Sequence, residues 1–328
     1  MKVLIVGAAG LIGAKLTARL VADKTLNGGQ ITGLTLFDIV KPPVPDGAPF
    51  PVTPVSGDLS TPGTAEALAA DQPDVVFHLA AVVSGEAEVD FDKGYRVNLD
   101  GSRHLFEALR HAGNNPRVVF TSSIAVFGRP FPEPIPDDFA LAPLTSYGTQ
   151  KAIDELMLAD YSRKGFFDGI GIRLPTIVVR PGKPNKAASG FFSGIIREPL
   201  QDQEAVCPVG GDVRHWMASP KAAIGFLIHA AGLDTVPLGA RRTLTMPGLS
   251  QTVDDMVDSL RRVAGEAPVK RIRWERDEAI ARIVSGWPTD FAASRAIKLG
   301  FVADPDFDSI IRDFIQDELQ PASAEPVA

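Results

Sequence analysis

The first half of the chain alternates short apolar runs with longer segments in which apolar residues recur every three or four positions. The short runs are rich in β-branched residues and predict strands at residues 2–6, 31–37, 75–79, 118–121 and 170–172. The longer segments predict helices at residues 11–22, 64–70, 98–112 and 147–164. Because strands that alternate with helices pair in parallel and carry helices on both faces, we predict an α/β fold with a doubly wound parallel sheet.

The alternation weakens after residue 173, where prolines repeatedly interrupt the chain. We predict that residues 1–173 form the sheet domain and that residues 174–320 form mainly a smaller C-terminal lobe, some segments of which can return to the sheet. Helical spacing within the lobe occurs at residues 252–264, 276–284 and 307–320. The proline-rich segment 41–54 predicts an irregular surface excursion, and residues 321–328 predict a mobile tail.

Charge and composition narrow the classes of partner. The net charge is −7, and no cluster of lysine and arginine could neutralise a run of phosphates, so we expect no nucleic-acid partner. No stretch approaches the roughly 18 apolar residues of a membrane helix, so we expect no membrane partner. The single cysteine, Cys207, excludes an internal disulfide, and no Cys/His spacing predicts a metal site. A reducing cytoplasm is the expected location.

A glycine-rich turn links the first predicted strand to the first predicted helix, with glycines at Gly7, Gly10 and Gly13. In a dinucleotide-binding turn the first glycine permits the bend, the second admits the pyrophosphate, and the third lets helix and strand pack closely. The phosphates then lie at the positive N-terminal end of the helix. The sequence therefore favours a dinucleotide site of the Rossmann type over a glycine-rich turn without a ligand.

Two aspartates stand close to this turn in the predicted fold. Asp38 ends the second predicted strand, where its carboxylate can accept hydrogen bonds from the hydroxyls of the adenosine ribose and would repel a 2′-phosphate. This position predicts NAD and not NADP. Asp58 can accept a hydrogen bond from the adenine amino group, although an aspartate that only forms the local turn explains it equally well.

The turn has the spacing G-x-x-G-x-x-G, and the chain resembles the extended branch of the short-chain dehydrogenase/reductase family, of the NAD-dependent epimerase/dehydratase type. The segments that carry the resemblance along nearly the whole chain are Asp58-Leu59, Leu79-Ala80-Ala81, Asn98, Thr121-Ser122-Ser123 and Tyr147-Gly148-Thr149-Gln150-Lys151. The resemblance implies NAD as the cofactor. The residues expected to bind it are Gly7, Ala9, Gly10, Leu11, Ile12, Gly13, Asp38, Asp58, Leu59, Leu79, Ala80, Ala81, Asn98, Tyr147, Lys151 and Pro175.

The resemblance also bears on assembly. Members of the family often form homodimers through the helices that correspond to residues 98–112 and 147–164. A buried core face explains the apolar stripes of these two helices equally well. A homodimer is therefore an expectation of the resemblance alone.

A tyrosine and a lysine form the predicted catalytic pair. The phenol of tyrosine has a usual pKa of about 10, so it is a weak base at neutral pH unless a cation stabilises its phenolate. Lys151 lies four residues after Tyr147 and therefore on the same helix face. The resemblance implies that this pair performs acid–base catalysis with a serine, and alignment of residues 124–128 with the family's Val-Tyr-Gly segment favours Ser123 over Ser122.

The substrate residues are predicted mainly from the second half of the chain. Arg180 lies beside a Pro/Gly-rich loop and can hold a carboxylate with two parallel hydrogen bonds, although an arginine in a surface ion pair explains it almost as well. Phe191 and Phe192 are expected to wall the pocket, and His215 is expected to be structural or solvent-facing. The predicted substrate contacts are Ser84, Ser123, Tyr147, Thr176, Arg180, Asn185, Ser189 and Arg214.

These donors suit a small polyhydroxylated acid. Segments 121–128, 145–151 and 181–193 resemble the members of this branch that oxidise a four-carbon sugar acid. That resemblance implies oxidation of the C2 hydroxyl with NAD as the acceptor. It does not distinguish one aldonate from another.

Two other functions use parts of the same pattern. An NAD-dependent sugar-nucleotide epimerase shares every motif above, and Arg214 lies where sugar-nucleotide relatives carry an arginine that binds diphosphate. A dehydratase is disfavoured because Ile124 and Ala125 follow the catalytic serine, where a dehydratase carries an acid/base pair. A catalytically inactive NAD sensor is least favoured, because it need not retain Tyr147 and Lys151.

Overall fold

A computed structural model of the chain describes residues 1–182 and 188–320. Its strands are β1 (Lys2–Val6), β2 (Thr25–Leu26), β3 (Gly29–Gln30), β4 (Gly33–Asp38), β5 (Val52–Ser56), β6 (Val75–His78), β7 (Arg117–Ser123), β8 (Asp168–Leu174), β9 (Thr176–Ile177), β10 (Ala205–Cys207), β11 (Arg214–Ala218), β12 (Thr243–Thr245), β13 (Leu249–Thr252) and β14 (Ile272–Trp274). Its α-helices are α1 (Leu11–Asp23), α2 (Thr64–Ala69), α3 (Ser84–Val89), α4 (Phe91–Gly94), α5 (Gly101–Ala112), α6 (Ser146–Arg163), α7 (Gly190–Leu200), α8 (Pro220–Gly232), α9 (Val253–Ala264), α10 (Glu266–Val269), α11 (Glu278–Val284), α12 (Ser294–Lys298) and α13 (Phe307–Phe314). Turns of π-helix occur at Tyr95–Asp100 and Ile315–Leu319, and turns of 3₁₀-helix at Ile124–Val126 and Val236–Leu238.

A parallel sheet of seven strands, in the order β12-β8-β7-β6-β1-β4-β5, forms the centre of the molecule. The strand order reverses direction at β1, which lies between β6 and β4. In doubly wound sheets the ligand binds beyond the carboxyl ends of the strands at such a reversal. The predicted α/β fold with a doubly wound parallel sheet is confirmed.

Helices cover both faces of the sheet. Successive side chains of a strand point to opposite faces, so each central strand contributes to two cores. In β1, Val3 and Ile5 join the core under α1 and α8, whereas Leu4 and Val6 join the core under α2, α5 and α6. This two-sided burial explains why the strand reads as a continuous apolar run. It also holds the carboxyl end of β1, where the glycine turn begins, in a fixed position.

The composition of the proline-rich segment 41–54 predicts an irregular excursion, but part of the segment is regular. Its last residues belong to β5, which pairs with β4 at the outer edge of the sheet. Proline cannot donate a backbone hydrogen bond, and an edge strand tolerates it because one side of the strand has no partner. Pro54 therefore signals an edge position and not the absence of a strand.

The region after residue 174 returns to the sheet more fully than its prolines predict. β12 adds a seventh strand beside β8, and α8 packs with α1 on one face of the sheet. Pro220 occupies the first turn of α8, with Ser219 as the N-cap, a place where a missing N–H costs nothing. This proline begins a helix that the sequence pattern does not predict.

The remaining C-terminal segments build a second core. It is formed by α7, α9, α13 and the short sheet β13-β11-β9, which branches from the main sheet just after β8. The predicted boundary at residue 173 lies beside this branch point. Residues 321–328, predicted to form a mobile tail, lie outside the described residues.

Candidate active site

The three glycines of the first turn differ in what surrounds them. Gly7 has a φ of 97°, and a Cβ on it would lie 2.6 Å from the backbone nitrogen of Ala80. A Cβ on Gly13 would lie 2.1 Å from the carbonyl oxygen of Gly7. A Cβ on Gly10 would meet nothing closer than 3.5 Å. Packing within the chain thus requires glycine at the first and third positions, whereas the second borders open space.

This open space fits the pyrophosphate of a dinucleotide. Helix α1 begins at Leu11, and no side chain caps the amides of its first turn. Free amides at a helix N-terminus favour an anion. Beside them, the two carboxylate oxygens of Asp38 accept hydrogen bonds from the backbone N–H groups of Ala9, at 2.8 Å, and Ile39, at 2.7 Å. Asp38 therefore holds a negative charge next to the turn, where the adenosine ribose of NAD is expected.

The catalytic candidates meet where β7 ends and α6 begins. Ser123 is the last residue of β7, and its Oγ accepts a hydrogen bond from the N–H of Ala125 at 3.1 Å. Tyr147 and Lys151 lie in the first turns of α6. A Cβ on Gly148 would lie 2.2 Å from the carbonyl oxygen of Ala125, so glycine at this position lets α6 approach the turn that follows Ser123.

One cavity of about 330 Å³ connects the glycine turn to these catalytic candidates. The predicted site residues that line it are Gly7, Gly10, Leu11, Ile12, Gly13, Leu79, Ala81, Ser123, Tyr147, Lys151, Pro175 and Arg180. Cofactor, catalytic and substrate candidates therefore share a single space. It lies at the carboxyl ends of β1, β6, β7 and β8.

Burial shapes the acidity of the catalytic pair. Burial raises the pKa of Tyr147 to about 12, and the nearby charge of Asp154 also raises it, whereas a hydrogen bond with Ser123 lowers it. Burial lowers the pKa of Lys151, and the charges of Asp154 and Glu155 oppose this effect. The Lys151 ammonium lies 4.5 Å from the ring centre of Phe120 and 5.9 Å from that of Tyr147. Tyr147 needs nearby positive charge to act as a base near neutral pH.

Ser122 is engaged elsewhere. Its hydroxyl donates to a carboxylate oxygen of Glu155 at 2.5 Å, and Glu155 accepts two further hydrogen bonds from Arg173 at 2.9 and 2.7 Å. All three side chains are buried. Of the two serines, Ser123 is therefore the one whose hydroxyl remains available to a substrate bound next to Tyr147.

Several residues expected at the cofactor lie behind the cavity and not on its surface. The side chain of Asn98 accepts from the N–H of Val82 at 2.7 Å and donates to the Val82 carbonyl at 3.0 Å and to Gln150 at 2.7 Å. These bonds use both amide protons of Asn98. Asn98 thus ties the loop after β6 to α6 and has no proton left for a ligand.

The other residues of this group support the site from further away. Ala80 packs behind Gly7, and Leu59 is buried in the core under α5. Asp58 accepts hydrogen bonds from the backbone and hydroxyl of Ser60, which lower the pKa of its carboxyl. This is the turn-forming geometry left open as the alternative for Asp58.

The predicted substrate residues divide into those near the cavity and those away from it. Arg180 lines it. Ser84 is exposed at the start of α3, next to Val83, which lines the cavity. Ser189 precedes α7 and does not line the cavity. Asn185 lies outside the described residues.

Thr176 and Arg214 are committed to other contacts. The hydroxyl of Thr176 lies 2.6 Å from Nε2 of His215, and Nδ1 of His215 lies 3.2 Å from the carbonyl oxygen of Pro288. Because a carbonyl only accepts, Nδ1 carries the proton and Nε2 accepts from Thr176. Arg214 is exposed on β11 and donates to the carbonyl of Ser250 at 2.8 Å. Arg214 does not line the cavity with Ser123, since its side chain extends toward β13.

The two phenylalanines expected to wall the pocket do not line this cavity. Phe192 is fully buried in the second core, stacked against the ring of His215 at 5.2 Å. Phe191 packs at the edge of that core, 4.1 Å from Phe192 between ring centres. Because both lie in α7, which the sequence pattern does not predict, their placement could not be read from the sequence.

Five residues that line the cavity are not among the predicted site residues: Val83, Thr121, Ser122, Leu174 and Ile177. Each lies within two residues of a predicted site residue, and each lies near the carboxyl end of a strand of the main sheet or of β9. Position at the carboxyl end of a parallel strand is therefore the signal that could have found them. This position predicts which backbone segments border the cavity, but not which of their side chains face it.

The family model described as the NAD dependent epimerase/dehydratase family matches residues 3–232, and the chain belongs to this family. NAD is accordingly the cofactor, as the sequence predicts. The glycine turn and Asp38 supply a site that fits it.

Two curated relatives carry one name. D-erythronate dehydrogenase from Cupriavidus necator is 51% identical over 97% of this chain and 98% of its own length. D-erythronate dehydrogenase from Haemophilus influenzae is 45% identical over 96% of this chain and 99% of its own length. These proteins match this chain over nearly its whole length, so the match extends into the C-terminal lobe.

Solved structures give the same fold under other names. The crystal structure of a protein named as a nucleoside-diphosphate-sugar epimerase, from Agrobacterium tumefaciens, is 60% identical, with a TM-score of 0.95 over 97% of this chain and 94% of that chain. An L-threonine dehydrogenase from Cupriavidus necator is 23% identical, with a TM-score of 0.83 over 96% of this chain and 99% of that chain, and shares the fold alone.

No helix in the described part of the chain combines the length and apolar character that crossing a bilayer requires.

Proposed function

We propose that this chain is an NAD-dependent dehydrogenase that oxidises the C2 hydroxyl of D-erythronate to 2-dehydro-D-erythronate. The observation that carries the proposal is the single cavity shared by the glycine turn, Ser123, Tyr147, Lys151 and Arg180. The two relatives named for this activity, at 51% and 45% identity over nearly their full lengths, support it.

The chemistry assigns one proton and one hydride. Bound NAD supplies the hydride acceptor at C4 of its nicotinamide ring. Tyr147 takes the proton of the C2 hydroxyl, while Ser123 holds the same oxygen with a hydrogen bond. The C2–H bond breaks with its electron pair, so the products are a ketone, reduced cofactor and one proton. Lys151 contributes the positive charge that a phenolate at Tyr147 requires.

Arg180 supplies a reason for an acid as the substrate. Arg180 lines the catalytic cavity, and none of the ion pairs formed within residues 1–182 and 188–320 includes its guanidinium. A guanidinium binds a carboxylate through two parallel hydrogen bonds. A carboxylate at Arg180 would orient the adjacent carbon, C2, toward Tyr147.

The experiment is a substrate panel. The purified protein is incubated with NAD and a series of aldonic acids, including D-erythronate and D-threonate, and with UDP-sugars, while NADH absorbance is followed. We expect net NADH with D-erythronate and a lower kcat/KM with the other acids. NAD binding without turnover of any compound would favour an inactive sensor.

A sugar-nucleotide epimerase is the second candidate, and the name of the solved relative at 60% identity favours it. An epimerase reduces and reoxidises its cofactor within one turnover, so it converts UDP-sugars without net NADH. Two observations weigh against it. Arg214, the expected diphosphate ligand, extends away from the cavity, and the curated relatives that match the whole chain are named as dehydrogenases.

Location and assembly extend the proposal. The single cysteine, Cys207, is buried and free, which suits a reducing cytoplasm. A homodimer would use α5 and α6, and Leu156 of α6 is 66% exposed on the surface available for that contact. Light scattering on the purified protein measures the mass directly, and Leu156→Glu should dissociate a dimer that uses α6.

A further inference from the structure

Side chains of α7 hold the backbone of Arg180 on both sides. The N–H of Arg180 donates to the hydroxyl oxygen of Ser193 at 3.3 Å, and its carbonyl oxygen accepts from Nη1 of Arg197 at 2.8 Å. Both of these side chains are buried, with 1% of Ser193 and 5% of Arg197 exposed. Two hydrogen bonds from one helix therefore fix the two peptide groups that flank Arg180.

The residue before Arg180 is strained. Val179 has a φ of 55°, in the left-handed region that β-branched residues rarely adopt, and its side chain is buried. The preceding residue, Val178, still pairs through its N–H with the carbonyl of Ala218 at 3.0 Å. The chain thus leaves its pairing with β11 and turns sharply at Val179. Such strain persists only where the surroundings hold it, and the bonds from α7 provide that hold.

Arg197 is itself fixed. Its Nη2 donates to a carboxylate oxygen of Glu198 at 2.5 Å, and both side chains of this ion pair are buried. One edge of the guanidinium is therefore paired with a carboxylate, while Nη1 reaches the Arg180 carbonyl. Arg197 does not line the catalytic cavity, so its contact with the site runs through the backbone of Arg180.

We propose that Ser193 and Arg197 are positioning residues for substrate recognition: they orient Arg180 so that its guanidinium meets the carboxylate of the substrate. This inference rests on the proposed function, in which Arg180 binds that carboxylate. A bidentate contact needs a planar group in a defined orientation, and a small shift of the backbone weakens it. The role predicts a loss of substrate affinity and little change in cofactor binding.

The test uses steady-state kinetics with D-erythronate and NAD. The hydrogen bonds of Ser193 and Arg197 to the backbone of Arg180 are called the clamp below. Removing one of them, as in Ser193→Ala, should raise KM for D-erythronate about five-fold. Arg197→Met should raise it about ten-fold or more, and Arg197→Lys, which keeps a donor and the charge, should recover most of that loss. In every variant we expect kcat and KM for NAD to stay within about two-fold of wild type.

Two control residues also form side-chain hydrogen bonds with the backbone, but they lie away from Arg180. Ser162 is a buried serine whose hydroxyl accepts from the N–H of Gly169 at 3.0 Å, and Arg117 donates to the carbonyls of Ala230 and Leu233. Both lie at the amino ends of strands, Arg117 at the start of β7 and Ser162 beside the start of β8, whereas the cavity lies at the carboxyl ends. Ser162→Ala and Arg117→Lys should leave both KM values unchanged. The proposal would be overturned if KM for D-erythronate rose no more in Ser193→Ala and Arg197→Met than in these two controls.

The outcomes separate this inference from the function on which it rests. Arg180→Ala should raise KM for D-erythronate about 100-fold. If it does so while Ser193→Ala and both Arg197 variants match wild type, the clamp is refuted and the function stands. If Arg180→Ala has no effect, the carboxylate contact and the clamp both fail, although oxidation of D-erythronate can still be observed. If Arg197→Met does not fold, the KM of Ser193→Ala alone decides whether the clamp exists. If the wild-type protein oxidises no acid, both proposals are overturned.

Discussion

The cofactor side and the substrate side of the cavity are built in different ways. The cofactor side consists of the glycine turn and the loop from Leu79 to Ala81, which follow β1 and β6 directly. These strands have partners on both sides within the sheet. On the substrate side, Arg180 follows the two-residue strand β9 and is held by side chains of α7. Topology thus fixes the first region, whereas a few buried hydrogen bonds fix the second.

The largest expected effect lies where the two regions meet. Tyr147→Phe keeps the ring and removes only the hydroxyl that takes the proton, so kcat should fall about 1,000-fold while NAD binding is retained. Initial rates of NADH formation and calorimetric titration with NAD measure the two quantities. Tyr161→Phe is the control, because Tyr161 lies on the same helix but bonds to Glu107, away from the cavity. Full turnover by Tyr147→Phe would refute the catalytic assignment.

The glycine turn allows a sharper test of the cofactor side. Gly13→Ala places a Cβ against the carbonyl of Gly7, so we expect the free energy of unfolding to fall by about 2 kcal/mol. Gly10→Ala meets no such obstacle, so stability should be unchanged while NAD affinity falls about ten-fold. Urea unfolding and NAD titration distinguish the two. Equal effects of both substitutions on stability would contradict the different roles assigned to these glycines.

The same difference explains what the sequence could predict. The glycine turn, Ser123 and the Tyr147–Lys151 pair are found together because local spacing and strand order determine their places. Ser193 and Arg197 could not be found, since polar residues buried by tertiary contacts look like surface residues in a sequence. Helix α7, which carries them, contains Pro199 next to its last residue, and a proline inside a helix opposes its prediction from sequence.

His215 connects the substrate side to the C-terminal lobe and should make stability depend on pH. Burial lowers its pKa to about 4, and burial also lowers the pKa of His78 to about 3. A histidine that is neutral when folded stabilises the fold fully above its unfolded pKa of 6.5, and this stability is lost as the pH falls toward the folded pKa. Each of the two side chains can contribute a loss of up to about 1.4 kcal/mol per pH unit in that range.

Urea unfolding at about pH 7 and about pH 5 measures this loss. His215→Gln retains an acceptor for Thr176 and cannot take up the proton, so its unfolding free energy should depend less steeply on pH than that of wild type. His111, 69% exposed, provides the control: His111→Gln should follow the wild-type curve. An unchanged slope in His215→Gln would show that His215 does not control acid stability.

A buried carboxyl that no sequence motif marked lies one turn beyond Lys151. Asp154 is fully buried, and one of its oxygens lies 3.2 Å from the hydroxyl oxygen of Ser102. The Ser102 hydroxyl donates to the carbonyl of Asn98 at 2.5 Å and lies 2.9 Å from Nε2 of His78. The other oxygen of Asp154 has no hydrogen-bond partner in the described structure. Glu155, the next carboxylate on the helix, is already paired with Arg173. The charged groups that face Asp154 are thus Lys151 and Glu155, with His78 neutral because burial lowers its pKa.

The smallest expected effect is a displacement of the pH profile by Asp154→Asn. Burial raises the pKa of Asp154 itself to about 8, and the charged form of Asp154 raises the pKa of both Tyr147 and Lys151. Asp154→Asn should therefore lower both pKa values in the pH range in which Asp154 is ionised. Activity needs a deprotonated Tyr147 and a protonated Lys151, so a fall in both pKa values should move both limbs of the pH profile of kcat/KM to lower pH. Asp160→Asn, an exposed position on the same helix, should leave the profile unchanged. A purely structural defect would lower the rate at every pH without moving either limb, so the direction of the shift distinguishes an electrostatic role for Asp154 from a packing role.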